Sequence, residues 1–155
     1  MSKFIKMVDK LRYFPVINQG KGLIQPVNAR DLGKALYHVL ISENIKNGDY
    51  ILSGEKPITM LQAFKLISMN LGKKTTFISF PIEFGVFLAR CMKVFTIGRV
   101  DYVEKVQRMG EDRSFPHDAA TGDFGYSPSP FDKGIKKEVE QYLNKKVNKN
   151  KENSV

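Results

Sequence analysis

The residues best suited to chemistry crowd one short stretch: Arg108, Glu111, Asp112 and Arg113, with His117 close behind. A guanidinium offers parallel N–H donors that match a phosphate or a carboxylate, and a carboxylate accepts from sugar hydroxyls. The group could therefore clamp an anion or a sugar. It could equally be a mutually neutralising knot of surface charge. Glu111 and Asp112 are neighbours whose side chains point apart, so they make a poor acid/base dyad.

Other chemistries lack their residues. The only histidines are His38 and His117, which no motif joins, so no zinc or two-metal spacing exists. There is no Gly-x-Ser-x-Gly elbow. Gly20-Lys21-Gly22 is too short for a dinucleotide fingerprint or a P-loop. Tyr142 and Lys146 satisfy a Tyr-x-x-x-Lys spacing, but they lie in a Lys-rich terminal helix with no cofactor-binding strands before it, and we read the match as coincidence. The one cysteine, Cys91, sits in an apolar run and reads as a buried, inert thiol. That usage suits a reducing cytosol and excludes a disulfide framework.

The elements that must position these residues follow from periodicity. Phe4, Ile5, Val8 and Leu11 recur at helical spacing over 2–12. Residues 14–17 are extended, a turn covers 20–22, and 23–27 is a short strand that Pro26 confines to an edge or bulge. Asp31 reads as the cap of a helix striped by Leu32, Ala35, Leu36, Val39 and Leu40. Asn47-Gly48 is a turn and 49–53 a strand. Thr59 and Gln62 form a capping box for a helix that Gly72 closes. A β-rich run at 75–80 precedes a helix that opens with Pro81 and ends near Phe95. A further helix spans about 100–109, irregular structure and a rigid turn at 124–130 follow, and a last helix covers 132–147. The expected organisation is one mixed α/β domain over 1–147 and a disordered Lys-rich tail over 148–155.

Of 155 residues 42% are apolar, enough for a real core, and eleven Phe with no Trp point to a Phe-built one. The net charge of +9 could serve nucleic acid, a membrane surface or anionic small molecules. Seven lysines against Glu138 and Glu140 between 133 and 151 concentrate much of it at the C-terminal end. A solvated helix face explains that run, and no aromatic–basic interleaving supports nucleic acid. Residues 77–94 are broken by Ser79, Pro81, Glu83, Arg90 and Lys93 and cannot span a bilayer. The expected location is the cytoplasm, with neither nucleic acid nor membrane as partner.

Three stretches taken in order carry a resemblance. Gln25-Pro26-Val27-Asn28-Ala29-Arg30-Asp31-Leu32-Gly33-Lys34-Ala35 resembles the strand-then-helix pattern QPV-x-V-x-D-v-A-x-A. Asp49-Tyr50-Ile51-Leu52-Ser53-Gly54, followed by Ile58-Thr59, resembles Y-x-L-x-G with a later hydrophobic-Thr pair. Arg113-Ser114-Phe115, Asp118-Ala119-Ala120 and then Phe124-Gly125-Tyr126-Ser127-Pro128 resemble the D-x-s-k-A and LG-y-x-P close of the same family. Together they resemble the C-terminal part of extended short-chain dehydrogenases/reductases, the NAD-dependent epimerase/dehydratase family, over about 2–145.

That resemblance implies a mixed α/β fold: the substrate-binding portion of a Rossmann-type enzyme, lacking the N-terminal half that binds NAD or NADP and carries the catalytic Ser/Thr, Tyr and Lys. In the intact enzyme the Tyr exchanges a proton and the nicotinamide takes and returns hydride. By the same resemblance Arg108, Asp112, Arg113 and His117 line the substrate pocket, and the substrate is a nucleotide-diphosphate sugar or related small molecule. The chain alone is expected to bind no cofactor, to hold no catalytic residue and no metal, and to complete itself with the N-terminal half or by self-association. The alternative is a non-catalytic binding or assembly module that kept the fold.

Overall fold

The structure, a computed structural model, describes residues 1–43, 45, 48–95, 103–108 and 110–152. The chain divides into two compact units. The first comprises Met1–Leu23 and Thr59–Asp112; the second comprises Ile24–Ile58 and Arg113–Val155.

In the first unit, helix α1 (Ser2–Lys10) buries Ile5 and Val8, the apolar positions its periodicity marks. Strand β1 (Tyr13–Ile17) alternates exposed and buried residues and turns Phe14 and Val16 inward. It pairs in parallel with β4 (Thr76–Phe80), with Tyr13 opposite Thr76 and Ile17 opposite Phe80. Helix α3 (Met60–Asn70) lies between them in sequence, so β1–α3–β4 is a crossover of the kind a parallel pair requires.

Both halves of the capping box form. The Thr59 hydroxyl accepts from the Gln62 amide at 3.1 Å, and the Gln62 side chain accepts from the Thr59 amide at 2.8 Å. Gly72 follows the helix at φ +65°, the left-handed conformation for which glycine is favoured. The core is built of phenylalanine, as composition suggests: Phe64 stands 5.3 Å from Phe4 and 4.7 Å from Phe14, ring centre to ring centre. Lys73 closes the helix bottom onto Asp9 with an ion pair of 2.6 Å. Helices α4 (Ile82–Phe95) and α5 (Val103–Gln107) complete the unit. A Cβ on Gly85 would lie 2.8 Å from Ile17 Cδ1 and 2.9 Å from Val106 Cγ1, so the closeness of α4 to both depends on that glycine. Cys91 on α4 is half-buried rather than buried. The expected helix over 100–109 is seen at Val103–Gln107; residues 100–102 and 109 lie outside the described ones.

In the second unit, helix α2 (Ala29–Ile41) packs Ala35 against Ala120, Phe124 and Tyr126, with Val27, Val39, Tyr50 and Leu52 around them. Its cap is Asn28, whose side chain accepts from the Arg30 amide at 2.9 Å; Asp31, expected to be the cap, sits in the first turn instead. The reason is that both Asp31 carboxylate oxygens are engaged elsewhere, by the Ser129 amide at 2.8 Å and hydroxyl at 3.0 Å.

The expected strand over 23–27 shortens to β2 (Leu23–Ile24), which pairs with the two-residue β3 (Ile58–Thr59). Pro26 has no N–H to give a ladder. The expected strand over 49–53 does not form, and at its end the Ser53 carbonyl accepts from the Tyr126 hydroxyl rather than from a ladder N–H. The turn expected at Asn47-Gly48 includes a residue outside the described ones. A helix not expected from periodicity, α6 (Asp118–Phe124), occupies part of the segment read as irregular, and Gly125 ends it at φ +68°. Helix α7 (Phe131–Glu152) buries Ile135 and Val139 and continues past residue 147, through 148–152.

Candidate functional site

The site residues expected from the sequence fall into the two units. Arg108 and Asp112 belong to the first, Arg113 and His117 to the second.

In the first unit, Arg108 follows α5 and pairs with Glu104 one turn back. Asp112 does something different: its carboxylate accepts from the Leu23 amide at 2.9 Å. Both side chains are exposed. Within the first unit, Arg108 makes a local ion pair and Asp112 anchors a backbone amide.

The second unit contains a connected polar network, and its members come from all three stretches singled out above. Gln25 is the hub. Its amide nitrogen donates to the Gly54 carbonyl at 2.7 Å and its amide oxygen accepts from the Phe115 amide at 2.9 Å. The Gly54 amide returns a bond to the Gln25 carbonyl at 3.2 Å. A glutamine carries both a donor and an acceptor on one rigid plane, so it can tie a carbonyl on one segment to an N–H on another. Gly54 approaches so closely that a Cβ there would overlap the Pro26 carbonyl.

Ser53, buried, is the second node. Its hydroxyl donates to the Phe115 carbonyl at 2.8 Å and lies 2.8 Å from His117 Nδ1. A hydroxyl has one proton. With that proton on the carbonyl, Nδ1 must be the donor to Ser53, and the neutral ring then presents Nε2 as an acceptor. Tyr126 completes the network: its hydroxyl donates to the Ser53 carbonyl at 2.8 Å, and its ring meets His117 edge-on at 5.5 Å. Burial pushes the Tyr126 hydroxyl above its ordinary pKa, and the Asp31 charge pushes it further the same way. Close by, Tyr50 donates to Asp123 at 2.7 Å.

The consequence is positional. Residues 113–117 have little regular structure apart from one parallel bridge, Arg113 with Ile24. They are held by Gln25 and Ser53 at Phe115 and by Ser53 and Tyr126 at His117. Sequence reasoning selected Arg113 and His117 but not the residues that hold them. Gln25, Ser53 and Tyr126 all lay inside the quoted stretches; what one sequence cannot supply is that they meet.

No dinucleotide cradle is found among the described residues. Gly20, at φ +64°, would bring a Cβ within 2.8 Å of Leu61 Cβ. Gly54 faces the Pro26 carbonyl. Both glycines therefore serve close packing of the chain on itself, not an open phosphate loop. Among the described residues no three His, Cys, Asp or Glu side chains gather as metal ligands, and no helix is long and apolar enough to cross a membrane.

No family model matches the sequence, and no curated protein matches it. Solved structures do. The chain superposes on gox2253 with a TM-score of 0.67 at 16% identity, over 92% of this chain and 43% of that one. It superposes on the triphenylmethane reductase of Citrobacter sp. at 0.62 and 21% identity, over 88% and 47%. It superposes on the dTDP-glucose 4,6-dehydratase of Bacillus anthracis, solved in complex with NAD, at 0.60 and 14% identity, over 92% and 38%. The fold is that of part of an extended short-chain dehydrogenase/reductase. The reductase is also solved in complex with NADP(H), and this chain spans less than half the length of these three structures. At such identities the likeness speaks for the fold alone.

Proposed function

We propose that the chain is the substrate-binding portion of an NAD(P)-dependent epimerase/dehydratase-like enzyme and is not catalytic alone. Its ligand is a nucleotide-diphosphate sugar or a related small molecule, bound with the help of Arg108, Asp112, Arg113 and His117. NAD or NADP and the catalytic Tyr and Lys belong to the N-terminal half of the intact enzyme.

The observation that carries the reading is the convergence of the three quoted stretches on residues 113–117. A fold needs a core, but it does not need three side chains from separate stretches to hold one short exposed segment in place. Such an arrangement suits a segment that must present Arg113 and His117 to something. Arg113 would supply a forked donor for a diphosphate, and His117, donating through Nδ1 to Ser53, would offer Nε2 to a sugar hydroxyl.

The test is titration of the chain, and of an enzyme reconstituted with an N-terminal half, with UDP and UDP-glucose. A charge-assisted bond contributes about 1.5–3 kcal/mol. Arg113→Ala or Arg108→Ala should therefore weaken binding by the reconstituted enzyme by about tenfold to a hundredfold. Binding unchanged in both variants would return these residues to ordinary surface charge. The chain alone should reduce no NAD or NADP with a sugar nucleotide, and measurable reduction by pure protein would overturn the reading.

A further inference from the structure

A second candidate site lies in the same unit, outside the network described above. An open groove of about 520 Å³ runs between the N-terminal parts of α2 and α7. Arg30 and Lys34 stand on one wall, Lys133 and Lys137 on the other, with Glu138 and Gln141 further along. The two walls are fixed to each other. Asp31 of α2 binds Ser129, just ahead of α7, through both carboxylate oxygens, and a Cβ on Gly134 would lie 3.2 Å from the Asn28 side-chain nitrogen.

We propose that this groove binds a small phosphate-bearing anion. Each wall carries two cations at i and i+4, the spacing at which like charges on a helix repel. Four cations therefore face one volume. Two carboxylates share the lining, Glu138 and an Asp31 committed to Ser129 that meets Lys34 only at 3.9 Å, so the cations outnumber them two to one. Among the described residues neither Arg30, Lys133 nor Lys137 forms an ion pair. An anion held between the walls relieves both repulsions at once, and it does so without moving backbone that is already tied at Asp31.

The lining narrows the ligand class. It holds no aromatic ring and no branched aliphatic side chain. Single-stranded nucleic acid binds on stacking platforms, which are missing here. An apolar or aromatic ligand would find nothing to pack on. The volume suits a small molecule, and the chemistry suits phosphate, on a soluble metabolite or on a lipid headgroup.

The experiment uses the full chain and inorganic pyrophosphate as probe, followed by amide chemical-shift mapping and calorimetry. Saturable shifts confined to the amides of Arg30, Lys34, Lys133 and Gly134, at ionic strength matched with sodium chloride, are expected. The double variant Lys133→Glu with Lys137→Glu should weaken pyrophosphate by roughly tenfold or more. Both positions are exposed, so folding is not at stake. A control, Lys136→Glu with Lys145→Glu, changes net charge equally off the groove and should bind like wild type. Phosphatidic acid vesicles that capture the chain and release it to pyrophosphate would assign the phosphate to a lipid; vesicles that fail to capture a pyrophosphate-binding chain would assign it to a soluble molecule. Shifts that sodium chloride reproduces, a control variant that weakens binding as much as the groove variant, or duplex DNA binding that pyrophosphate does not compete would overturn the proposal.

Discussion

The two units are held together by different physics. The first is a hydrocarbon core: Ile5, Val8, Phe14, Val16, Phe64 and Ile67 are buried, and the phenylalanine rings of α1, β1 and α3 meet edge to face or tilted. The second has a smaller apolar cluster around Ala35, Ala120 and Phe124, and around it a web of side chain to backbone bonds from Gln25, Asp31, Ser53 and Tyr126. Dispersion and burial tolerate repacking, whereas a buried polar web does not, because each lost partner leaves another group unsatisfied. The comparison teaches where specificity sits. The first unit can drift in sequence while its pattern of large apolar residues is kept; the second depends on particular donors and acceptors at particular places.

The sharpest way to break this contrast is to cut each unit in its own currency. Phe64→Ala removes the ring at the centre of the first core and should cost about 3–5 kcal/mol, read from denaturant unfolding. Amide shifts at Ala35 and Phe124 in the second unit should stay near wild type. If they move as far as those at Ile67, the units do not answer separately.

Next in size is Gln25→Leu. It removes the partners of the Gly54 carbonyl and the Phe115 amide, and should cost about 1–3 kcal/mol despite keeping an apolar side chain of similar length. A cost near zero would mean that water replaces Gln25 freely and the web is decoration.

Tyr126→Phe should cost about 1 kcal/mol for the lost bond to the Ser53 carbonyl. It also carries a pH signature. Burial and Asp31 raise the folded-state pKa of Tyr126, so the unfolded chain gives up this proton first. The stabilising contribution is complete below the unfolded value of about 10 and is lost as pH rises through that value towards the folded one. Unfolding free energies at pH 8 and above 10 should therefore fall more steeply for wild type than for the Phe variant. Parallel pH dependences would remove Tyr126 from the buried web.

The smallest effect belongs to the first unit. Thr59→Ala deletes half of a capping box and should cost about 1 kcal/mol, with Thr59→Ser restoring most of it. Equal stability of all three proteins would show that α3 is held by its packing alone.

Much of the first unit is legible in the sequence because its rules are local. The stripe of α1, the capping box before α3, the glycine after it and the proline before α4 each act within a few residues of the structure they dictate. The second unit is legible as motifs but not as contacts. Asp31 satisfies every local requirement of a helix cap and is not one, because Ser129, remote in sequence, claims both its oxygens. Residues 49–53 carry a strand's composition and form no strand. The Ser53 carbonyl and the Gly54 backbone are bound by Tyr126 and Gln25, partners that a single sequence does not announce. The substrate segment shows the same division: the guanidinium and imidazole groups stand out by type, while the groups that fix them are ordinary glutamine, serine and tyrosine.

The central claim is that three stretches distant in sequence form one device that holds residues 113–117. Hydrogen exchange at the Phe115 amide tests it most directly, because that N–H is bound by the Gln25 side chain and by no helix or strand. In wild type it should exchange more slowly than the neighbouring Ser114 amide. In Gln25→Leu the protection should vanish, while the Ile67 amide in the first unit keeps its own. A Phe115 amide that exchanges at the same rate with and without Gln25 would contradict the account, since the segment would then be held by something else or not held at all.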